Sequence, residues 1–303
     1  MTLHVLYRSV ATENVKGRPS WYSKDISLVS LLRALEGCAE LGRTVFLNGG
    51  EMPAHRLELM RSTGEIVETE RRPNYLAYPE AIRSILDLGF GEDDLVYMAE
   101  DDYLYRPGAF SALAAAAPML PPSAYLALYA TIDGRLPNGD PLHSELRIPR
   151  RRPRAEAAEA GGVAWRQATS TTASVAARVA TFRADAALHT AAPRSGDWWD
   201  HAVMLSVGGH LPYRPRDLFR GMGGQPLERR AKVLAWRLRM SAGALPRIAS
   251  PHPLFAPLPA LATHAEADYL AADVDWQTVA AEAMEWAAGR GMELRAAGAV
   301  ADP

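Results

Sequence analysis

The chain has 303 residues, a formal net charge of -2 and 22% charged residues. This balance gives no general attraction to nucleic acid or to an anionic surface, so partners have to be argued from local features. Cys38 is the single cysteine, which excludes an internal disulfide; its apolar helical surroundings predict a core residue and a reducing compartment. The length allows one large α/β domain with a C-terminal extension.

No stretch indicates a targeting or membrane-spanning segment. The chain enters a strand at Leu3 without a basic segment followed by a long apolar run, so we expect no signal peptide. No run approaches the ~18 apolar residues that a spanning helix needs. We therefore expect a cytoplasmic protein, with Ala-rich amphipathic segments near the C-terminus that could lie at a membrane surface or against a partner.

Apolar patterns in the first hundred residues alternate between strands and helices. We predict strands at residues 3–9, 43–47, 64–70 and 95–98. Helices are predicted between them at residues 25–41, 53–62 and 75–88. This order predicts an α/β fold with a mainly parallel sheet and right-handed crossovers. The sequence has no Gly-x-Gly-x-x-Gly after the first strand and no Gly-x-x-x-x-Gly-Lys-Ser/Thr, so a dinucleotide dehydrogenase or P-loop enzyme loses its main support.

The most informative change along the chain is the run Glu100-Asp101-Asp102, which directly follows an apolar strand. Ligand crevices of open α/β sheets lie outside the carboxyl ends of the strands, where these acids are expected. Adjacent carboxylates repel each other, and a hard cation such as Mg²⁺ or Mn²⁺ removes that penalty. The alternative is a solvated acidic turn before the next helix.

Aromatic and cationic side chains occur together in the loop after the first strand. Arg18, Trp21 and Lys24 are suited to stacking on a nucleobase and neutralising phosphate. We add Arg8, at the end of the predicted strand, to the same candidate donor site. An ordinary surface loop is the alternative.

The acidic run resembles the Asp-x-Asp signature of GT-A glycosyltransferases, in a Glu-Asp-Asp form. The resemblance implies that Asp102 binds the metal that bridges the donor's diphosphate, that Glu100 lies near the nucleoside and that Asp101 belongs to the same site. The turn Asn48-Gly49-Gly50 resembles the Asp-Gly-Ser-like turn of that family, with Asn48 in place of the aspartate.

The middle of the chain is predicted to be a strand at residues 124–131, followed by a long loop and a β-rich segment. Residues 133–162 include the basic run Arg150 to Arg154, which could clamp phosphate or lie solvated. No basic stripe with aromatics accompanies it, so nucleic-acid binding is not indicated. By the GT-A resemblance, residues 163–178 line the donor-sugar pocket, where Trp165 suits the apolar face of a sugar. A plain half-buried strand is the alternative.

A second acidic segment runs from Ser195 to Asp200 and opens a predicted helix. It resembles the Glu-Asp segment of family-2-type glycosyltransferases, which implies that Asp197 deprotonates the acceptor hydroxyl. Gly196 replaces the usual glutamate, so Asp200 is a second candidate. A helix N-cap is the alternative for Asp197.

Three further elements are predicted near the C-terminus. They are an Arg-rich amphipathic helix at residues 227–240, an extended segment at 251–259 and a helix at 276–288. GT-A enzymes often supply a late histidine to the metal or the diphosphate, and His264 is the candidate by that resemblance. A capping or surface role is its alternative.

The resemblance covers residues 3–215, with a weaker extension to His264. It implies a GT-A-like domain at residues 1–225 and a helical extension at 226–303. It also implies inverting, Mn²⁺- or Mg²⁺-dependent transfer from a UDP-, GDP- or dTDP-linked sugar. The acceptor would be a hydroxyl of a glycan, a lipid-linked saccharide or a small natural product. A retaining enzyme, a nucleotidyltransferase, a non-catalytic sugar-binding protein and a homodimer stay open.

Overall fold

The computed structural model describes residues 1–12, 17–132, 158–196, 199–213, 215–292 and 294. Over these residues the chain forms an α/β fold in which helices cover both faces of a nine-stranded sheet. The predicted fold class is therefore confirmed. Cys38 is buried in the core, as its surroundings predict.

Strands and helices alternate through the first part of the chain. They are β1 (Leu3–Val10), α1 (Lys24–Leu35), β2 (Leu41–Gly49), α2 (Ala54–Arg61), β3 (Glu65–Thr69), α3 (Asn74–Asp87), β4 (Leu95–Glu100), β5 (Tyr103–Tyr105) and α4 (Ala109–Ala116). The remaining elements are β6 (Tyr125–Leu126), β7 (Ala158–Ala160), β8 (Val163–Ala168), β9 (Val175–Arg178), α5 (Val179–Ala191), α6 (Trp199–Val207), α7 (Leu227–Ala249), β10 (Leu254–Leu258), β11 (Ala262–His264) and α8 (Trp276–Ala288).

The main sheet has the strand order β3-β2-β1-β4-β9-β6-β10-β8-β7. Its first four strands are parallel to one another, whereas β9 and β8 run antiparallel to their neighbours. Strand β10 lies between β6 and β8, so the segment after residue 225 contributes to this sheet as well as carrying helices. The division of the chain at residue 225 stays a prediction.

Strand β4 is apolar because it lies in the middle of the sheet, with a core on each face. Leu95, Tyr97 and Ala99 join the core on one face, and Val96 and Met98 join the core on the other. Alternate residues of a strand point to opposite faces, so a strand covered on both sides needs apolar residues throughout. Helices α1, α4 and α8 pack on the first face and α3, α5 and α6 on the second.

The structure corrects several element bounds. Helix α1 ends at Leu35 rather than at residue 41, because Gly37 takes a φ of 74° in a turn that directs the chain into β2. The predicted strand at residues 124–131 is reduced to β6 and an isolated bridge between Thr131 and Ser170. Helix α5 was not predicted from the sequence.

The predicted long loop at residues 133–162 contains strand β7 at its end. Gly161 and Gly162 join β7 to β8 in a hairpin, with φ values of 61° and 76°. Both glycines therefore have the positive φ that a two-residue hairpin turn of this kind requires. The basic run at residues 150–154 lies outside the described residues.

Two histidines, His189 of α5 and His201 of α6, are buried in the core. The hydroxyls of Tyr78 and Tyr125 bond the ring of His189, at 2.7 and 2.9 Å. Among the residues that the structure describes, neither ring nitrogen of His201 has a hydrogen-bond partner. Burial lowers the pKa of each imidazole to about 4. Both rings are therefore neutral in the folded protein at pH 7.

We predict that His201→Leu makes the protein less sensitive to acid. The pKa of His201 is depressed on folding from ~6.5, so the unfolded chain takes up the proton first as the pH falls. The wild type should thus lose about 2 kcal/mol of unfolding free energy through this residue between pH 7.5 and 5.0. The variant should keep it, as measured by urea unfolding at both pH values. Equal acid-induced losses in the two proteins would contradict the prediction.

Candidate functional site

A cleft of about 410 Å³ opens at the carboxyl ends of β1 and β4. Six of its lining residues were predicted from the sequence as donor or metal ligands: Arg8, Arg18, Lys24, Glu100, Asp101 and Asp102. They come from β1, the loop after it, the start of α1 and the end of β4. The parallel pairing of β1 with β4 is what brings these distant parts of the sequence to one edge of the sheet.

The pairing register places Arg8 beside Glu100. The two residues are partners in the parallel ladder of β1 and β4, and the Arg8 Nη2 donates to Glu100 Oε1. The Nη1 of Arg8 donates to Asn74 Oδ1 at the start of α3, at 2.9 Å. Arg8 therefore joins β1, β4 and α3 at the floor of the cleft.

Asp101 is held by Lys24 and by the end of β1. Its Oδ2 accepts hydrogen bonds from Lys24 Nζ at 2.6 Å, Ser9 Oγ at 2.9 Å and the backbone N–H of Val10 at 2.8 Å. Lys24 is 2% exposed and also donates to the carbonyl of Val10, at 2.8 Å. This carboxylate thus anchors the first residue of α1 to the sheet edge.

Asp102 lies between a cation and a histidine. Its Oδ2 is 3.0 Å from Arg18 Nη2 and 3.0 Å from His264 Nε2. The ribbon of β5 and β11 brings His264 into place by pairing it with Tyr103. The other ring nitrogen of His264 is 3.4 Å from Glu266 Oε2, and a carboxylate there orients the ring.

Burial and neighbouring charges shift the pKa values of Glu100 and Asp102 in opposite directions. Burial raises the pKa of Glu100 above its usual range, and the negative charge of Asp102 adds to that effect against the attraction of Arg8. Burial also disfavours the charged form of Asp102, but His264 and Arg18 outweigh it and hold the pKa well below its usual range. Asp102 is therefore a carboxylate at every pH at which the protein would be used.

A further cation, Arg72, reaches the cleft from the segment after β3. Arg72 and Asn74 line it and were missed from the sequence. Arg72 is paired with Glu70 at 2.7 Å and lies 3.8 Å from Glu80. The signal was available, because β3 is parallel to β2 and its following residues end at the same sheet edge. Four cations and three carboxylates thus line the cleft among the described residues, a composition that suits an anionic ligand such as phosphate.

Three predicted donor residues are not brought into the cleft. Trp165 is fully buried in β8 and donates to the carbonyl of Ala160 at 3.3 Å. Strand β8 is four strands from β4, about 19 Å at ~4.8 Å a strand. Asn48 is 1% exposed and donates to Glu68 Oε2 at 2.8 Å, while Trp21 packs against the core. These positions give none of the three a direct contact with the space inside the cleft.

The two candidate bases have different outcomes. Asp197 lies outside the described residues. Asp200 lies in the first turn of α6, where its Oδ1 accepts the backbone N–H of His201 at 2.8 Å. The preceding Trp199 packs on Tyr78 with ring centroids 4.5 Å apart, and the guanidinium of Arg8 lies 5.9 Å from the centre of that tyrosine ring. The start of α6 is therefore linked to the cleft floor through Tyr78.

Asp102 and His264 offer two donors to a divalent metal. An octahedral ion with ligands at ~2.1 Å holds neighbouring ligands about 3 Å apart, which matches the 3.0 Å between Asp102 Oδ2 and His264 Nε2. The described residues contain no group of three or more His, Cys, Asp or Glu side chains that could hold a metal. The arrangement therefore fits an ion shared with ligand oxygens and water, and Arg18 would compete with that ion for Asp102.

We predict that Lys24→Met lowers the free energy of unfolding by about 3 kcal/mol, because it leaves the carboxylate of Asp101 without its cation in a mostly buried site. Adding Asp101→Asn should recover part of the loss. Lys232→Met is the matched control, since the pair with Glu228 has side chains 70% and 80% exposed and should contribute less than ~0.5 kcal/mol. Urea unfolding measures all four proteins; equal effects of the two lysine substitutions would contradict the prediction.

No protein-family model and no curated protein matches the chain. Among solved structures, it is similar to a 4-diphosphocytidyl-2C-methyl-D-erythritol synthase at 12% identity and a TM-score of 0.39, over 68% of this chain and 85% of that chain. A galactosyltransferase in complex with donor and acceptor sugar analogues matches at 10% identity and a TM-score of 0.42, over 93% and 95% of the two chains. A glucosyl-3-phosphoglycerate synthase from Mycobacterium tuberculosis in complex with Mn²⁺, UDP and phosphoglyceric acid matches at 13% identity and a TM-score of 0.30, over 42% of each chain. These values are low, so the likenesses carry no argument about substrate or reaction.

Proposed function

We propose that the chain is a glycosyltransferase that moves a sugar from a nucleotide-diphosphate donor to an acceptor hydroxyl. The observation that carries the proposal is the cleft at the ends of β1 and β4, which four cations and Asp102 line, with His264 3.0 Å from Asp102. The Glu-Asp-Asp run at this edge of an α/β sheet, with its resemblance to the GT-A signature, supports the same assignment.

The donor's diphosphate is assigned to the cationic side of the cleft. Arg8, Lys24 and Arg72 line it, and their N–H groups suit phosphate oxygens. Arg8 and Lys24 are already paired with carboxylates, so the ligand would share them. UDP-, GDP- and dTDP-linked sugars all carry the diphosphate that this surface would recognise.

Asp102 and His264 would hold a Mn²⁺ or Mg²⁺ ion next to the diphosphate. When bound, the ion supplies Lewis-acid stabilisation of the charge on the leaving diphosphate. Asp102 stays ionised for this role because its pKa is held low. Glu266, next to the second nitrogen of His264, would keep the ring turned so that Nε2 faces the metal.

The acceptor is assigned to the side of the cleft lined by α3, whose Tyr78 packs against the start of α6. Asp200 is close enough to Tyr78 for its charge to raise the pKa of that phenol, after the larger effect of burial. An acid here could take the proton of an acceptor hydroxyl, which is the step that an inverting transfer requires. Asp197, two positions before the described part of α6, is the other candidate for this base.

We predict that a nucleoside diphosphate raises the melting temperature in the presence of Mn²⁺ and that EDTA removes the rise. Ligand that binds only the folded state adds about 2.7 kcal/mol at a hundredfold excess over Kd. Thermal-shift assays with UDP, GDP and dTDP measure the effect. Asp102→Asn should abolish the metal-dependent part of the rise in melting temperature. The melting temperature of this variant without nucleotide shows whether it folds.

The matched control for this assay is Asp93→Asn. Asp93 lies before the amino end of β4, and its side chain is 88% exposed in a pair with Arg178 at 3.2 Å. It should respond to nucleotide and Mn²⁺ as the wild type does. A rise that is the same with Mn²⁺, with EDTA and in Asp102→Asn would remove the metal site from the proposal.

We predict that one of Asp197→Asn and Asp200→Asn loses ~10² to 10⁴-fold in turnover with little change in donor affinity, because a positioned general base contributes about that much. Turnover is measured as sugar transfer or donor hydrolysis and is detected through the released nucleoside diphosphate. If Asp200→Asn is the inactive variant, the base is Asp200. Full activity in both variants would contradict an inverting mechanism with either acid as base.

A further inference from the structure

Helix α7 carries an apolar stripe that is largely exposed to solvent. The helix has 23 residues, about 35 Å at ~1.5 Å a residue, and only Arg237, Met240 and Ala244 are buried. About 110° around the helix from these residues, at 100° a residue, Leu227 is 81% exposed, Leu238 49% and Leu245 55%. Their separations of 11 and 7 residues correspond to whole helical turns, so the three leucines lie along one line.

Small and apolar residues complete this stripe. Ala231, Leu234 and Ala242 occupy the positions between the three leucines at spacings of three and four residues. Five of the six residues on the line from Leu227 to Leu245 are exposed, and Leu234 is half-buried. A contiguous apolar stripe exposed on a globular protein indicates an interaction site.

Cationic residues flank the stripe on both sides. At 100° a residue, Arg230 falls at one edge of the stripe and Lys232 and Arg239 at the other. The whole helix has six cationic side chains and one carboxylate, Glu228, which pairs with Lys232 at 2.6 Å. The stripe is therefore bordered by positive charge although the chain as a whole has a net charge of -2.

A loop beside α7 extends the exposed surface. The Nη1 of Arg237 donates to the carbonyls of Asp217, Leu218 and Arg220, at 2.9, 3.0 and 2.8 Å, and so holds this loop against the helix. Phe219 in the loop is 62% exposed. An aromatic side chain held next to a cationic, apolar helix is a common feature of surfaces that bind the interfacial region of a bilayer.

We propose that the stripe of α7 docks on an anionic lipid surface, with its leucines in the interfacial layer and its flanking cations against the lipid headgroups. The charge distribution selects this occupant: two copies joined through their stripes would bring cationic edges together, whereas an anionic bilayer neutralises them. In the described residues no helix is long and apolar enough to cross a bilayer, so α7 lies along the surface.

The test is sedimentation of the whole protein with vesicles. Vesicles of phosphatidylcholine with phosphatidylglycerol should bind the wild type, and vesicles of phosphatidylcholine alone or 0.5 M NaCl should weaken binding about tenfold or more. Leu238→Glu combined with Leu245→Glu, and Arg230→Glu combined with Arg239→Glu, should each reduce binding about tenfold or more. Met119→Glu is the control, since Met119 is 58% exposed on another surface and should not matter.

The substituted side chains are exposed, so we expect the variants to fold. Their melting temperatures check this. Three results would overturn the proposal: no binding to anionic vesicles, equal binding by the leucine variant, or equal loss in Met119→Glu. A fourth result would combine two observations. The wild type would not bind vesicles, and it would form a concentration-dependent dimer that the leucine substitutions dissociate. That result would assign the stripe to a second copy of the chain.

Discussion

The structure around the cleft depends on the neutralisation of three adjacent carboxylates by three cations. Glu100, Asp101 and Asp102 follow one another at the end of β4, and each is paired with a different cation. Those cations come from β1, from α1 and from the loop between them. Like charges this close raise the free energy of the folded state unless opposite charges compensate them. Satisfying the acids therefore fixes the geometry of the first βα unit.

A buried polar network on the face of the sheet that α3 and α5 cover supports the cleft. Tyr125 donates to Asp185 Oδ2 at 2.9 Å, and the same oxygen is 2.6 Å from His252 Nδ1. With its hydroxyl proton used in this way, Tyr125 accepts from Nε2–H of His189, whose Nδ1 then accepts from Tyr78 at 2.7 Å. A neutral imidazole satisfies this order, in agreement with its lowered pKa. The network fixes Tyr78 beneath Arg8, and with it the start of α3.

The sequence predicts the position of the cleft better than its internal contacts. The apolar strand that ends in Glu100 locates the acids at the edge of a parallel sheet, and in the structure Arg8, Arg18 and Lys24 line the same cleft as these acids. The sequence does not predict their mutual pairing, because either a metal ion or cationic side chains can compensate the repulsion between the acids. Asp102 and His264 are 162 residues apart, and only the family resemblance suggested that they meet.

The predicted residues that lie elsewhere have a common physical reason. Trp165 and Asn48 have side chains suited to a sugar or a nucleoside, but residue type does not specify which strand face or which depth a side chain occupies. A tryptophan and an asparagine in the sheet are equally suited to a core contact and a buried hydrogen bond. Arg72 was missed for the converse reason, since its place follows from the strand order and not from a motif.

The proposed function requires that a metal ion and a nucleoside diphosphate bind together at Asp102 and His264. The most direct measurement is an anomalous difference map from crystals that contain Mn²⁺ and whichever of UDP, GDP and dTDP raises the melting temperature most. We expect one strong peak within ~2.2 Å of both Asp102 Oδ2 and His264 Nε2, with diphosphate oxygens as further ligands. A nucleotide bound outside this cleft, or bound in it with no peak beside Asp102, would contradict the proposed site.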